Sequence, residues 1–202
     1  MIDEVIIYDW IKELVLKRGI PQKEPDVIFV SEIARCLRRS YYSRIYGVKE
    51  SAANLIPTLL DMLLHEELQK HLKEKYGWDY GVRREYSVDN EFKLVGRADL
   101  VGKDAVIEIE ITQYAPDFIL PFHEYQLTAN MKLYNRIKGI IIYIARNGHV
   151  KTFSMHFEPE LWSAVVRRAK TLYKALKLKY APQIEFSPWC FHCPFRRRCF
   201  RG

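Results

Sequence analysis

The distribution of the four cysteines constrains the fold of this chain more than any other feature. Three lie near the C-terminal end as Cys190-x2-Cys193-x5-Cys199, and Cys36 lies 154 residues before the first of them. Clustered cysteines in a reducing compartment are more often metal ligands than disulfides. Four thiolates suit either an iron–sulfur cluster or structural zinc, and His192 keeps zinc open. Either centre would join the two ends of the chain and close a very long loop, which stabilises the fold.

The remaining composition indicates a cytoplasmic protein with a polyanionic partner. Met1 to Trp10 carries three acids and no basic flank, so we expect no signal peptide. The sequence has no run of eighteen apolar residues, so we expect no membrane span. The formal net charge is +7 with a pI near 9.2. A basic surplus suits the phosphate backbone of nucleic acid.

Hydrophobic periodicity predicts a single α/β domain over residues 1–202. Helical spacing predicts helices over 2–17, 33–46, 57–76, 125–136 and 160–180, and Ser31 is a plausible N-cap of the second. Alternation and β-branched runs predict strands over 82–88, 92–101, 105–112, 139–145 and 150–157. This order favours a mixed sheet flanked by helices.

A predicted hairpin brings three carboxylates together. Asp99 lies on the first strand, a turn is expected at 102–104, and alternation places Glu108, Glu110 and Thr112 on one face of the second strand. Like charges that converge in this way need a cation, and oxygen ligands suit Mg²⁺ or Mn²⁺. The alternative is a solvated sheet face on which Ile and Glu alternate.

Basic and aromatic residues surround the cysteines. Arg38, Arg39 and Tyr42 follow Cys36, and further arginines flank Cys199. Arginine recognises phosphate and aromatic rings stack on unpaired bases, so we interpret these three residues as candidates for DNA binding. For the tyrosines, packing around the metal centre explains the pattern equally well.

The order of these motifs resembles the CRISPR-associated exonucleases of the Cas-four family, in the RecB-like branch of the PD-(D/E)xK nucleases. The motifs that carry the resemblance are Cys36-Leu37-Arg38-Arg39-Ser40-Tyr41-Tyr42, His65, Gly96-x2-Asp99, Glu108-Ile109-Glu110, Gln126 and the C-terminal cysteines. The resemblance implies a restriction-endonuclease-like mixed sheet with a C-terminal iron–sulfur clasp, formed by about 31–46 and 182–202. It also implies a cluster usually of the 4Fe–4S rather than the 2Fe–2S type.

The same resemblance implies a metal-dependent exonuclease that degrades single-stranded DNA from 5′ to 3′ and trims fragments for the CRISPR integrase complex. By position, His65, Asp99 and Glu110 or Glu108 resemble the ligands of Mg²⁺ or Mn²⁺. Gln126 resembles the catalytic glutamine of the helix that follows the strand.

Three departures from the family pattern qualify this expectation. Asp61 stands where the family has glycine, and Asn130 stands where it has an aromatic residue. The strand motif also lacks the family's lysine, whose position falls on Glu110 or on Thr112. A Glu-x-Glu motif resembles that of some restriction endonucleases, in which the second glutamate can serve as base. The alternatives are a catalytically weak DNA-binding adaptor of the integration complex and a RecB-like repair nuclease.

Overall fold

A computed structural model describes residues 4–17, 24–47 and 52–201 of the chain. The elements, in chain order, are α1 (Glu4–Lys17), β1 (Val27–Phe29), α2 (Val30–Ile33), α3 (Leu37–Tyr46), α4 (Ala52–Tyr76), β2 (Asp79–Tyr80), β3 (Arg84–Val88), β4 (Phe92–Gly96), β5 (Leu100–Val101), β6 (Ala105–Thr112), α5 (Pro121–Leu133), β7 (Lys138–Ala145), β8 (Val150–His156) and α6 (Pro159–Leu178). A 3₁₀ turn (Pro188–His192) and the short helix α7 (Arg196–Arg201) form the C-terminal tail. Residues 2 and 3 of the first predicted helix lie outside the described residues.

The described strands form two sheets, and both mix parallel with antiparallel pairs. One has the order β1-β4-β3, and the other has the order β2-β5-β6-β7-β8. In the larger sheet β5 pairs antiparallel with β6, and β6 pairs parallel with β7. Parallel neighbours need a crossover, which α5 provides. The predicted mixed sheet flanked by helices is therefore confirmed, although it is divided in two.

The helix predicted over 33–46 is interrupted in the structure. Helix α2 ends at Ile33, and Cys36 stands at the N-cap of α3. The side chain of Arg168, on α6, donates from Nε to the Ile33 carbonyl at 2.7 Å and from a terminal nitrogen to the Arg35 carbonyl at 2.7 Å. These bonds satisfy carbonyls that a continuous helix would have bonded internally, so a distant residue stabilises the break.

The strand predicted over 92–101 is also interrupted, at residues 97–99. The Ala98 amide donates to the Tyr134 hydroxyl at 3.3 Å, and the Gly81 amide donates to the Asp99 carbonyl at 3.4 Å. Asp99 consequently lies between β4 and β5 instead of on a strand. This position frees its carboxylate to turn toward β6.

The largest core lies between α6 and the elements near Cys36. Buried residues of α2, α3 and β4 pack against Val165, Ala169 and Leu172 of α6. Within the part of the chain that the structure describes, no helix is both long and apolar enough to cross a membrane.

Candidate active site

Glu108 lies at the centre of the acid cluster, beneath α5. Its residue is 2% exposed, so the alternative of a solvated sheet face does not hold for it. Asn130 donates to Oε1 at 2.6 Å, and Gln126 donates to Oε2 at 3.0 Å. Burial and the nearby charge of Asp99 raise the pKa of Glu108 well above its usual value, although both amides oppose the shift.

Asp99 lies beside Glu108 because Leu100 pairs with Ile107 across the hairpin. One of its carboxylate oxygens accepts the Ile109 amide at 2.8 Å, and the other accepts Gln69 Nε2 at 3.0 Å. Nδ1 of His65, on α4, lies 3.5 Å from the same Asp99 oxygen that accepts Gln69. The hairpin and α4 thus position Asp99 and His65 together.

The neighbouring acids raise the pKa of His65. Burial lowers its pKa, but the hydrogen bond and charge of Asp99, with Glu110 and Asp61, raise it more, so the net direction is upward. Asp61, the departure from the family's glycine, also forms an ion pair with Arg146 at the end of the sheet. Asp61 therefore connects α4 to the β7–β8 turn.

Glu110 is the acid most open to solvent, with a side chain 23% exposed. Gln126 Nε2 lies 3.4 Å from its Oε1, and His123 Nε2 lies 3.3 Å from its Oε2. Arg35 lies near enough for Glu110 to raise its pKa, although burial and Arg39 lower that pKa overall. Glu110 is therefore in contact with solvent and lies near the side chains of Gln126, His123 and Arg35.

Gly96 explains why Asn130 can approach Glu108 so closely. A Cβ at Gly96 would lie 2.5 Å from Asn130 Oδ1 and 2.8 Å from a methyl of Val30. That Asn130 oxygen is buried and has no hydrogen-bond partner among the described residues. A glycine at this position is thus required by the packing of α5 onto β4.

The chemistry of the donor set fits a divalent cation. Three carboxylates and one imidazole offer oxygen and nitrogen ligands, and burial, with the charges of Asp99 and Glu110, raises the pKa of Glu108. As the side chains stand, no three His, Cys, Asp or Glu groups within the described ranges converge closely enough to hold an ion. Binding would therefore require rotation of one or more of these side chains.

The four cysteines lie in one region and are unpaired thiols. Cys190 interacts electrostatically with both Cys36 and Cys199, and Cys193 interacts with Cys199. Burial raises the pKa of Cys36 and that of Cys199, and the neighbouring thiols add to both shifts, while Arg38 opposes the shift of Cys199. Sulfur donors from both ends of the chain therefore lie in one neighbourhood, and their chemistry suits an iron–sulfur cluster or zinc. As they stand in the described residues, no three of them are close enough to hold an ion.

Protein contacts next to the thiols also hold the tail to α3. The Leu37 amide donates to Glu185 Oε2 at 2.7 Å, and Arg168 pairs with Glu185 Oε1 at 2.5 Å. Arg38 donates to the Pro182 carbonyl at 3.2 Å. These bonds fix the point where the tail leaves the core.

The candidate DNA-binding residues occupy different environments. Tyr42 is 7% exposed and packs against the rings of Tyr41, Tyr46 and Phe195, which favours packing over base stacking. Arg38 is half-buried and donates to the Tyr42 hydroxyl. Arg39 is also half-buried, and among the described residues no side-chain hydrogen bond is seen for its guanidinium. Of the three, Arg39 is the one left for a phosphate.

Sequence reasoning did not find His123, Tyr143 or Gln69, which also contribute to this site. His123 precedes Gln126 by three residues, so the two share a helix face, and this spacing was a usable signal. Tyr143 is the one polar residue within the apolar run of β7, and it pairs in register with Glu110. Its role depends on that pairing, which the sequence does not specify.

The fold and the acid cluster agree with the resemblance to RecB-like nucleases that the sequence motifs carry. No family model matches the chain. It is similar to the CRISPR-associated exonuclease Cas4 of Saccharolobus solfataricus, with 29% identity over 205 residues that cover 94% of this chain and 97% of the relative. This similarity confirms the resemblance to the Cas-four family.

Solved structures agree on the fold. The crystal structure of SSO0001 matches with a TM-score of 0.79 and 24% identity over 97% of this chain and 96% of that one. An alkaline exonuclease from Laribacter hongkongensis matches with a TM-score of 0.53 and 12% identity over 76% of this chain and 89% of that one. Together with the sequence relative, these likenesses support a nuclease.

Proposed function

We propose that this chain is a Mg²⁺- or Mn²⁺-dependent exonuclease that degrades single-stranded DNA from 5′ to 3′ during CRISPR spacer acquisition. The observation that carries the proposal is the convergence of Asp99, Glu108 and Glu110 beside His65. A buried carboxylate with two acidic neighbours is costly to keep charged unless a cation binds there. The direction and the biological role rest on the resemblance to the Cas-four family.

The exposure of each acid side chain suggests its role at the metal site. His65, Asp99 and Glu110 are the partly exposed groups and would hold the ion, with Glu108 as the buried fourth candidate. When bound, the ion polarises a phosphate oxygen and acidifies a water. Glu110 is partly exposed and is placed to accept the proton of that water, whereas Glu108 is buried away from solvent.

Gln126 has a positioning role in this account. Its single amide nitrogen lies within 3.0 Å of Glu108 and 3.4 Å of Glu110, so it holds two like charges at a fixed separation. Loss of such an outer contact typically costs 10- to 100-fold in affinity or activity. Gln126→Ala should therefore weaken cleavage without abolishing it.

We further propose that the thiols of Cys36, Cys190, Cys193 and Cys199 hold an iron–sulfur cluster, of the 4Fe–4S type. Phosphodiester hydrolysis needs no electron transfer, so the cluster would serve the structure. Its position next to the contacts of Glu185 supports this role, because it would extend an existing link between the two ends of the chain.

The test is an assay on end-labelled single-stranded DNA with Mn²⁺ and with chelator. We expect labelled 5′ ends to be released as short products only when metal is present. The adaptor alternative predicts DNA binding without cleavage under both conditions. Anaerobically purified protein should be brown, and colourless protein with stoichiometric zinc would exclude the cluster.

A further inference from the structure

His123 forms a buried link between the acid cluster and Tyr143. The residue is 7% exposed, and Tyr143 is fully buried. On one side His123 Nε2 lies 3.3 Å from Glu110 Oε2, and on the other side Nδ1 lies 2.7 Å from the Tyr143 hydroxyl. Because Glu110 and Tyr143 are paired in register on adjacent parallel strands, both side chains face α5, which carries His123.

The hydrogen bonds of Tyr143 determine which histidine nitrogen carries the proton. The Leu120 amide donates to the Tyr143 oxygen at 3.1 Å, so this contact occupies an acceptor site of the phenol. Burial, opposed by the Leu120 amide and reinforced by Glu110, raises the pKa of Tyr143 to about 12, so the phenol keeps its proton at neutral pH. The remaining partner for that proton within the described residues is His123 Nδ1.

A neutral imidazole that accepts at Nδ1 must donate at Nε2. The Nε2–H group is then directed at Glu110 Oε2. Gln126 lies near the other oxygen, so Glu110 has a nitrogen donor on each side.

We propose that His123 is a positioning residue that fixes the Glu110 carboxylate through an Nε2–H donor whose tautomer is set by Tyr143. The proposal rests on the proposed nuclease function for its effect on rate, but the hydrogen-bond arrangement stands without it. It explains how a chain with Glu-x-Glu can orient its second glutamate without a neighbouring lysine. A histidine that served packing alone would require neither this tautomer nor a donor at Nε2.

The first test reads the tautomer directly, by nitrogen-15 NMR of the histidine rings of the metal-free protein at neutral pH. We expect His123 to show a protonated Nε2 and an unprotonated Nδ1, with the signals assigned by their loss in His123→Gln. Tyr143→Phe removes the donor to Nδ1 and should shift the ring toward the other tautomer. A protonated Nδ1 with a bare Nε2 in the native protein would overturn the proposal, whether or not the protein cleaves DNA.

The second test measures kcat and KM for single-stranded DNA at saturating Mn²⁺. His123→Ala should lower kcat about 10- to 100-fold, the typical effect of an outer contact, with KM little changed. His123→Gln should recover most of the loss because its amide nitrogen can donate in place of Nε2. His149→Ala, an exposed histidine on the β7–β8 turn, is the matched control and should be neutral.

Failure of the proposed nuclease function and failure of the positioning role of His123 would give different results. An inactive native protein with the expected tautomer would remove the nuclease function and leave the hydrogen-bond arrangement intact. An active native protein with a fully active His123→Ala variant would overturn the positioning role alone. Thermal unfolding of each variant separates a loss of fold from a loss of rate.

Discussion

The acid cluster and the cysteine region differ in how completely the protein itself builds them. In the acid cluster Asp99 and Glu108 have both carboxylate oxygens held by donors from β6, α4 or α5. In the cysteine region Cys190 and Cys199 lie in a 3₁₀ turn and a short helix, and nearby aromatic side chains such as Phe191 lie largely in solvent. Protein hydrogen bonds therefore hold these two acids, whereas the cysteine region has fewer such contacts and would gain more from the proposed cluster.

This difference predicts that the two sites fail in different ways. Damage to the acid cluster should remove chemistry and leave the fold. Damage to the cysteine region should reduce stability first, because few polar contacts, chiefly those of Glu185 and Arg38, would then join the tail to the core. The following changes test that separation in order of decreasing effect.

Glu110→Ala should reduce the cleavage rate by at least about a thousandfold, comparable to the loss of a principal transition-state contact. The side chain is partly exposed, so the melting temperature and any visible colour should stay unchanged. Initial rates on end-labelled single-stranded DNA at saturating Mn²⁺ measure the effect. Asp104→Ala, an exposed acid in the hairpin turn, is the control. Full activity of Glu110→Ala would contradict its role both as ligand and as base.

Cys36→Ala should remove the visible absorption and lower the free energy of unfolding by about 2–5 kcal/mol, as does loss of a native cross-link in a small domain. Anaerobic absorption spectra and denaturant titrations measure these two quantities. Ser31→Ala, an exposed substitution on α2, is the control. A variant with full cluster content would exclude Cys36 as a ligand.

Glu108→Gln should stabilise the metal-free protein at neutral pH, because the amide avoids the cost of a buried carboxylate charge beside Asp99. The raised pKa of Glu108 means that the folded native protein favours the protonated acid, so its contribution to stability is present at low pH. That contribution is lost as pH rises through the folded pKa. Rotation of the Asn130 amide would let its unpartnered Oδ1 accept a hydrogen bond from the new NH₂ group of the glutamine.

Thermal melts across a pH series in chelator measure this difference. It should be smallest below the usual glutamate range and should grow as pH rises. Glu91→Gln, at an exposed turn, should show no such trend. A constant difference at all pH values would indicate that Glu108 does not carry the buried charge.

Arg39→Ala should produce the smallest effect, a weaker salt dependence of single-stranded DNA binding. One lost phosphate contact reduces the slope of log K against log salt by about 0.7. Fluorescence anisotropy at several salt concentrations measures the slope, with Lys103→Ala as an exposed basic control. An unchanged slope would remove Arg39 from the DNA-binding surface.

The parts of the structure that sequence reasoning predicted are those with local causes. Strand β6 has the predicted bounds, because its alternation and its turn at 102–104 are local signals. The break at residues 34–36 contains no glycine or proline, so no local signal predicts it. It depends on Arg168 of α6, which donates to the carbonyls that the break leaves free. His123 and Tyr143 were missed for a similar reason: the parallel register of β6 and β7 brings them to Glu110.

The measurement that tests the account most directly compares native protein with Asp99→Ala on end-labelled single-stranded DNA, titrated with Mn²⁺. Asp99 lies between His65 and the two glutamates, so its loss should remove metal-stimulated cleavage at every concentration. Circular dichroism and colour should match the native protein. Cleavage by Asp99→Ala at the native rate, or native cleavage that persists in chelator, would contradict the central claim that the acid cluster is a metal-dependent nuclease site.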